Sequence, residues 1–273
     1  MRKTLVPAAS GLLATVLVTG LLAGCGGGST QSGGASSSAA PGGSGSGTAT
    51  GTLTVSAAAS LTDVFSQLGK TFSEQNPGST VRFNYGGSSD LAQQIVNGAP
   101  ADVFAAANTS TMATVTKAGL TSGDPAVFVT NVLQIAVAPG DPKGIHSFAD
   151  LTKPDLKVVV CAPQVPCGSA TQQVEKATGV TLKPVSQETD VRSALSKVTT
   201  GDADAALVYV TDVKSTKGKV EGIDFPEASK ALNQYPIAVL KNAPQPDLAA
   251  KFVALVRGPD GQQALKNAGF GTP

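Results

Sequence analysis

The sequence contains one histidine, no tryptophan, three cysteines and two methionines. That inventory cannot build a His-rich or Cys-rich metal site. Acid–base chemistry through histidine would have to run through His146 alone. Charge is scarce as well: charged residues are 14% of the chain, with Lys+Arg 20 against Asp+Glu 19 and a formal net charge of +1. Such a balance excludes a nucleic-acid binder driven by bulk positive charge. A wholly disordered chain is excluded too. Disorder needs low hydrophobicity and high charge, whereas 41% of these residues are hydrophobic. The length, 273 residues, suffices for one large or two ordinary domains.

The amino terminus reads as an export signal. Arg2 and Lys3 precede a mostly apolar run, Leu5 to Leu22, broken by Pro7, Gly11 and Gly20. Leu22-Ala23-Gly24-Cys25 closes the run with small residues before a cysteine. The pattern resembles the signal sequence of bacterial lipoproteins, in which that cysteine is lipidated and becomes the first mature residue. The alternative is an uncleaved membrane helix, but a stop-transfer segment would end in basic residues. Removal of residues 1–24 deletes Arg2 and Lys3 and takes the formal charge from +1 to −1. One acyl chain holds a protein only marginally, and stable anchoring needs more than one; lipoprotein cysteines typically carry more. Residues 25–50 begin with Cys25 and continue as GGGSTQSGGASSSAAPGGSGSGTAT, with no charge and no large apolar side chain after the cysteine. This segment is expected to be a flexible tether, with an r.m.s. span of about 25–30 Å.

From Gly51 onward, short apolar runs alternate with helical periodicity. Thr52–Ala58 reads as a strand. Leu61, Val64, Phe65, Leu68 and Phe72 then fall on one helical face. Ser60 with Asp63 resembles a weak capping box at the start of that helix. Val81–Tyr85, a helix opened by Leu91 and Ile95, Ala101–Ala105 and a helix near 110–118 continue the rhythm. Such βαβα alternation favours parallel sheet covered by helices. An extended run over 127–138, strands at 156–161, 205–210 and 235–240, and helices near 170–177, 191–198, 247–257 and 261–268 complete the pattern. About 220 residues of α/β sequence argue for two lobes over one.

In open α/β sheets ligands bind beyond the carboxyl ends of strands, at the starts of the following helices. Four such places carry hydroxyls or small residues: Ser60 in AAASL, Ser88 in YGGSS, the loop from Cys161 to Ser169, and Thr189-Asp190-Val191. Helix-start N–H groups are unpaired donors with partial positive charge. Several such ends in one cleft would hold an anion without any lysine or arginine. The plainer reading of Ser60 and Ser88 is helix capping. The Gly86-Gly87 turn lacks the lysine and spacing of a nucleotide loop. A nucleophilic serine lacks a base, since His146 sits among turn residues and no G-x-S-x-G surrounds either serine. Tyr209, at the end of AALVYV, presents its hydroxyl to a cleft or packs with it in water. Cys161 and Cys167 bracket the loop CAPQVPC. In an exported domain a disulfide is the default, with a metal pair or redox pair as alternatives. So short a loop limits its entropic effect to about 2 kcal/mol, but it would stiffen the chain ahead of Ser169. Cys25 is left over, in agreement with lipidation.

TVSAAASLTDVF, YGGSSDLAQQIVNGAPADVFAAA, DVRSALSKVTTGDADAALVYVTD, YPIAVL and GPDGQQALKNAGF, in that order, resemble the periplasmic molybdate-binding proteins of bacterial ABC importers over residues 52–273. The resemblance implies an α/β, two-lobed type II periplasmic binding-protein fold. Each lobe would be a mixed, mostly parallel sheet flanked by helices, with a hinge of crossing strands. Lobe 1 would comprise 51–130 and 237–273, and lobe 2 would comprise 131–236. It implies a binding protein and not an enzyme, with no cofactor and no catalytic residue. The ligand would be molybdate or tungstate, held by hydroxyls and backbone amides. By position in the family words, Ser60, Ser88, Val191 through its N–H, and Tyr209 would be donors. Ser89 stands beside Ser88. The loop amide would be that of Cys167, where better-known members have alanine. The metal would be reached by Ser60, Ser88 and Tyr209 only through the oxygens of molybdate. Asp90, so near an oxyanion, would have to point away. Implied partners are an ABC permease and, through the lipid anchor, the outer face of the cytoplasmic membrane. Neither nucleic acid nor an oligomer is implied. A donor-only site prefers a fully deprotonated anion over hydrogen phosphate. Sulfate or another tetrahedral oxyanion is the nearest alternative ligand. A hydrolase using Ser60 or Ser88 and a purely structural lipoprotein are rivals of other classes.

Overall fold

The computed structural model describes residues 50–273; the signal segment, Cys25 and all of the tether before Thr50 lie outside the described residues. β1 (Gly51–Ala58) becomes fully buried toward its carboxyl end, as expected of a central strand covered on both faces. It pairs in parallel with β2 (Ser79–Gly86) and β3 (Val103–Ala105), with Val55 level with Phe83 and Val103. β10 (Asn233–Val239) runs antiparallel between β3 and β4 (Ala126–Asn131), giving the order β2-β1-β3-β10-β4.

Helices cover both faces of this sheet. α1 (Thr62–Gln75) buries Val64, Phe65, Leu68 and Phe72, the stripe that its sequence spacing predicts. Phe65 and Phe72 meet Phe252 of α7 (Pro246–Arg257) edge-on, at 5.8 and 5.5 Å between ring centroids. α8 (Pro259–Ala268) closes the same layer, with Leu265 in the core. On the opposite face, Leu91 and Ile95 of α2 (Ser88–Val96) pack with Met112 and Val115 of α3 (Thr109–Lys117) against Phe104.

The second sheet has the order β7-β6-β8-β5-β9. β6 (Val158–Cys161) is parallel to β7 (Ser186–Glu188) and β8 (Ala205–Tyr209). β5 (Leu133–Val137) is antiparallel to β8 and to β9 (Glu221–Ile223). α4 (Pro166–Thr178), α5 (Val191–Thr199) and α6 (Val210–Ser215) accompany it. α4 begins earlier than the apolar periodicity indicated, because Pro166 occupies its first turn, where proline's fixed φ and missing N–H cost nothing.

The run expected to be extended over 127–138 is two strands in two sheets, divided at Val132. The buried side chain of Asn131 makes the change of sheet possible. Its Oδ1 accepts from the Val132 N–H at 3.1 Å, and its Nδ2 donates to Thr211 Oγ1 at 2.8 Å. Backbone groups leaving a ladder need such partners. The chain returns at β10, which begins at Asn233, so the first sheet takes residues 233–236 that the sequence reading gave to the second lobe. No helix among the described residues is long and apolar enough to cross a membrane.

Candidate functional site

The carboxyl ends of β1, β2, β6, β7 and β8 all lead into segments that line one cavity between the two sheets' lobes. Its walls include Ser60, Ser88, Cys167, Val191 and Tyr209, with Gly87 and Asp190 beside them. The five residues singled out in the sequence are thus brought together. The space open to the centre of a water molecule is about 20 Å³, against about 240–400 Å³ in four other hollows among the described residues. That volume suits a small ion.

Ser60 lies in a single 3-10 turn, Ala59–Leu61, ahead of α1. It does not cap the helix as the Ser60–Asp63 spacing suggested; α1 has no side-chain cap. Its Oγ is instead 2.9 Å from the buried Tyr235 hydroxyl. Asn131 Nδ2 donates to that hydroxyl's oxygen at 3.4 Å. Tyr235 can therefore pass its own proton toward Ser60, which leaves the Ser60 O–H free for the cavity. Ser88 is also not a cap, since Gly87 holds the N-cap position of α2. Its Oγ accepts from the Ala107 N–H at 3.0 Å, so its one proton is likewise available. Tyr209 is 1% exposed, and its hydroxyl has no well-aligned hydrogen-bond partner among the described residues, although the Tyr235 hydroxyl is its polar neighbour. Burial, with Tyr235 and Asp212 nearby, pushes this phenol well above the usual tyrosine range, which keeps it protonated as a donor.

Two helix starts add backbone donors. Asp190 caps α5 by accepting from the N–H groups of Arg192 (2.8 Å) and Ser193 (3.0 Å), leaving the Val191 N–H outside the cap. In α4, Pro166 has no N–H, so Cys167 supplies the helix's first one. Cys167 is bonded to Cys161 at the end of β6, so the disulfide pins this helix start to the sheet. Gly168 reinforces the pin: a Cβ there would collide with the carbonyl oxygens of Ala162 and Cys161.

Among the lining residues the only charge is Asp190, whose carboxylate is turned onto its own helix and also accepts from Ser193 Oγ at 2.7 Å. Asp90 does not line the cavity; it borders a separate hollow with Ser89 and Gln164. His146 is exposed, and its N–H donates to Asp150. The lining contains no histidine, so neither Ser60 nor Ser88 has an imidazole base there.

The lobes touch around the cavity. Ser89 Oγ donates to the Gln164 carbonyl at 2.7 Å. Gly87 lies against the Thr189 carbonyl, which a Cβ at that position would strike. Arg192 Nη2 pairs with Asp63 of α1, while its Nε lies 3.0 Å from Asp212 Oδ1 of its own lobe, outside hydrogen-bond alignment. Burial pushes the Asp212 carboxyl up to about 7, against the opposing pull of Arg192 and the Tyr209 N–H. Tyr235, Arg192 and Asp212 were not singled out from the sequence. Tyr235 opens an apolar strand and reads as core, and the partners of Arg192 are distant in the chain.

Two α/β lobes with a small cleft at their strand ends define a class, the solute-binding proteins. The family model for bacterial extracellular solute-binding proteins matches residues 53–271, and the chain belongs to that family. It is a binding protein and not an enzyme, and its fold is the type II periplasmic binding-protein fold. More particularly, the chain is similar to the molybdate-binding protein ModA of Mycobacterium tuberculosis (strain H37Rv), with 49% identity over 264 residues and 97% of each chain covered. It is also similar to a sulfate-binding protein of Synechococcus elongatus, at 27% identity, covering 98% of this chain and 83% of that one. The structure of the Azotobacter vinelandii periplasmic molybdate-binding protein shares the fold, with a TM-score of 0.69 at 24% identity over 81% of this chain and 99% of the other.

Proposed function

We propose that this protein captures molybdate, and tungstate with it, between its lobes and delivers it to an ABC importer. The observation that carries the reading is the Tyr209 hydroxyl, buried and unpaired in a cavity that has donors and no cation. A buried donor without a partner is costly unless a ligand supplies the acceptor. The hydroxyls of Ser60, Ser88 and Tyr209 and the N–H groups of Cys167 and Val191 are the proposed donors. A tetrahedral dianion offers acceptors on every face. Hydrogen phosphate brings a proton to a site whose one carboxylate, Asp190, is already engaged by its own helix. The metal is reached only through its oxygens. Similarity to molybdate-binding relatives supports this ligand; the sulfate-binding relative makes sulfate the alternative to test.

In this reading the ligand gathers contacts from both lobes only when they close, so it shifts the hinge equilibrium toward the closed form. An ABC permease then takes the closed form. Lobe 1 comprises residues 51–131 together with 233–273, and lobe 2 comprises residues 132–232. Residues 1–24 act as a lipoprotein signal. Cys25 carries the anchor, and the tether holds a monomeric receptor at the outer face of the cytoplasmic membrane.

Thermal unfolding in excess molybdate, tungstate, sulfate or phosphate tests the proposal. A ligand at 1,000 times Kd adds about 4.1 kcal/mol, and each kcal/mol moves the midpoint of a protein of this size by about 2–4 °C. A rise of about 8–16 °C with molybdate and tungstate, and little with phosphate, is expected. A rise with sulfate alone would transfer the site to sulfate. No shift with any oxyanion would refute the reading.

A further inference from the structure

Arg192 holds two carboxylates that belong to different lobes. Asp212 lies in the same lobe, is 0% exposed, and accepts from the Tyr209 N–H through its other oxygen at 3.1 Å. Asp63 stands on α1 across the cleft with its side chain 64% exposed. Asp212 therefore pairs with the guanidinium inside the second lobe. Asp63 finds it only when the lobes meet. The position next to Val191 places this contact at the edge of the ligand cavity. The cavity's other edge is clasped by the neutral Ser89–Gln164 bond. Among the ion pairs of the described residues, Arg192–Asp63 is the one that crosses the cleft.

We propose that Asp63 and Arg192 form a closure latch: positioning residues that touch no ligand but set how long the closed, loaded state lasts. The inference rests on the reading of the cavity as the oxyanion site. Breaking the latch destabilises only the closed form. The anion enters the open form, so the loss falls on the dissociation rate and not on association. An exposed ion pair is screened by salt. Neutral-donor binding alone would give the closed complex no such rim term. The wild-type dissociation rate should therefore climb with ionic strength more than that of a latch-less variant.

Stopped-flow measurement of molybdate binding to wild type, Asp63→Asn and Asp63→Glu tests this. The exposed position of Asp63 makes loss of folding in these variants an unsuitable explanation for a kinetic split. Asp63→Asn should raise the dissociation rate about two- to fivefold and flatten its salt dependence, with association unchanged. Asp63→Glu should restore most of the wild-type behaviour. Equal dissociation rates, or an effect confined to association, would overturn the latch. Should the wild type bind none of the oxyanions, the reading of the cavity falls and the latch, which rests on it, falls with it; oxyanion binding with equal dissociation rates overturns the latch alone.

Discussion

Tyr209 shows how a residue can be built for a ligand at the expense of its own fold. Its ring packs edge-on against Tyr235 at 6.1 Å, but its hydroxyl is buried without a partner. Removing that hydroxyl should cost the ligand a donor and cost the empty protein nothing. Tyr209→Phe is expected to weaken molybdate binding by about 10–150-fold, the worth of one hydrogen bond to a charged group. Its unfolding midpoint without ligand should be unchanged or higher. A lowered midpoint with unchanged affinity would make the hydroxyl structural. Other residues were legible to different depths. Ser60 and Ser88 were visible as hydroxyls at strand-to-helix junctions. What occupies each oxygen was not, because Tyr235 and the Ala107 N–H reach them from distant parts of the chain. The disulfide was legible from compartment and spacing alone, and the structure contains it.

At the scale of elements, the site is a convergence of helix starts. The amphipathic helices were readable because a single apolar face suffices to show them, as in α1 and α5. Short edge strands were not: β7 and β9 have three residues each, too few for any period. Neither was the division of the run over 127–138 into β4 and β5, since both halves are apolar and only the buried Asn131 marks the crossing. The approach of two helix starts across the cleft was equally hidden. Gly87 has φ −60° and ψ 127°, a conformation open to any residue, so no backbone demand requires glycine there. The demand is steric and comes from the Thr189 carbonyl of the other lobe, with Asp90 Oδ2 at 3.6 Å the nearest atom of its own. Gly87→Val is therefore expected to hold the lobes apart. Overpacking of about 1–3 kcal/mol corresponds to an affinity loss of about 5–150-fold, measured by ligand titration, with little change in the midpoint of the empty protein. Unchanged affinity would show that closure does not bring these backbones together in solution.

The molecule as a whole joins two lobes, one built on two apolar clusters and the other on one, that meet around a hydrogen-bonding cavity, while the chain crosses between the sheets at Asn131–Leu133 and again before Asn233. Sequence alone indicated two α/β lobes. The closed arrangement depends on contacts between residues far apart in the chain, such as Arg192 with Asp63 and Ser89 with Gln164. A cation-free cavity fits a receptor that must release its cargo: neutral donors bind a dianion without a fixed counter-charge to hold it back. The central claim is that these donors bind one tetrahedral oxyanion per chain. Calorimetric titration of molybdate into wild type and into the Ser60→Ala/Ser88→Ala double variant tests it most directly. One site per chain is expected, with an affinity loss in the double variant exceeding the factor of about 10–150 assigned to a single donor. Equal affinity in the two proteins would contradict the account.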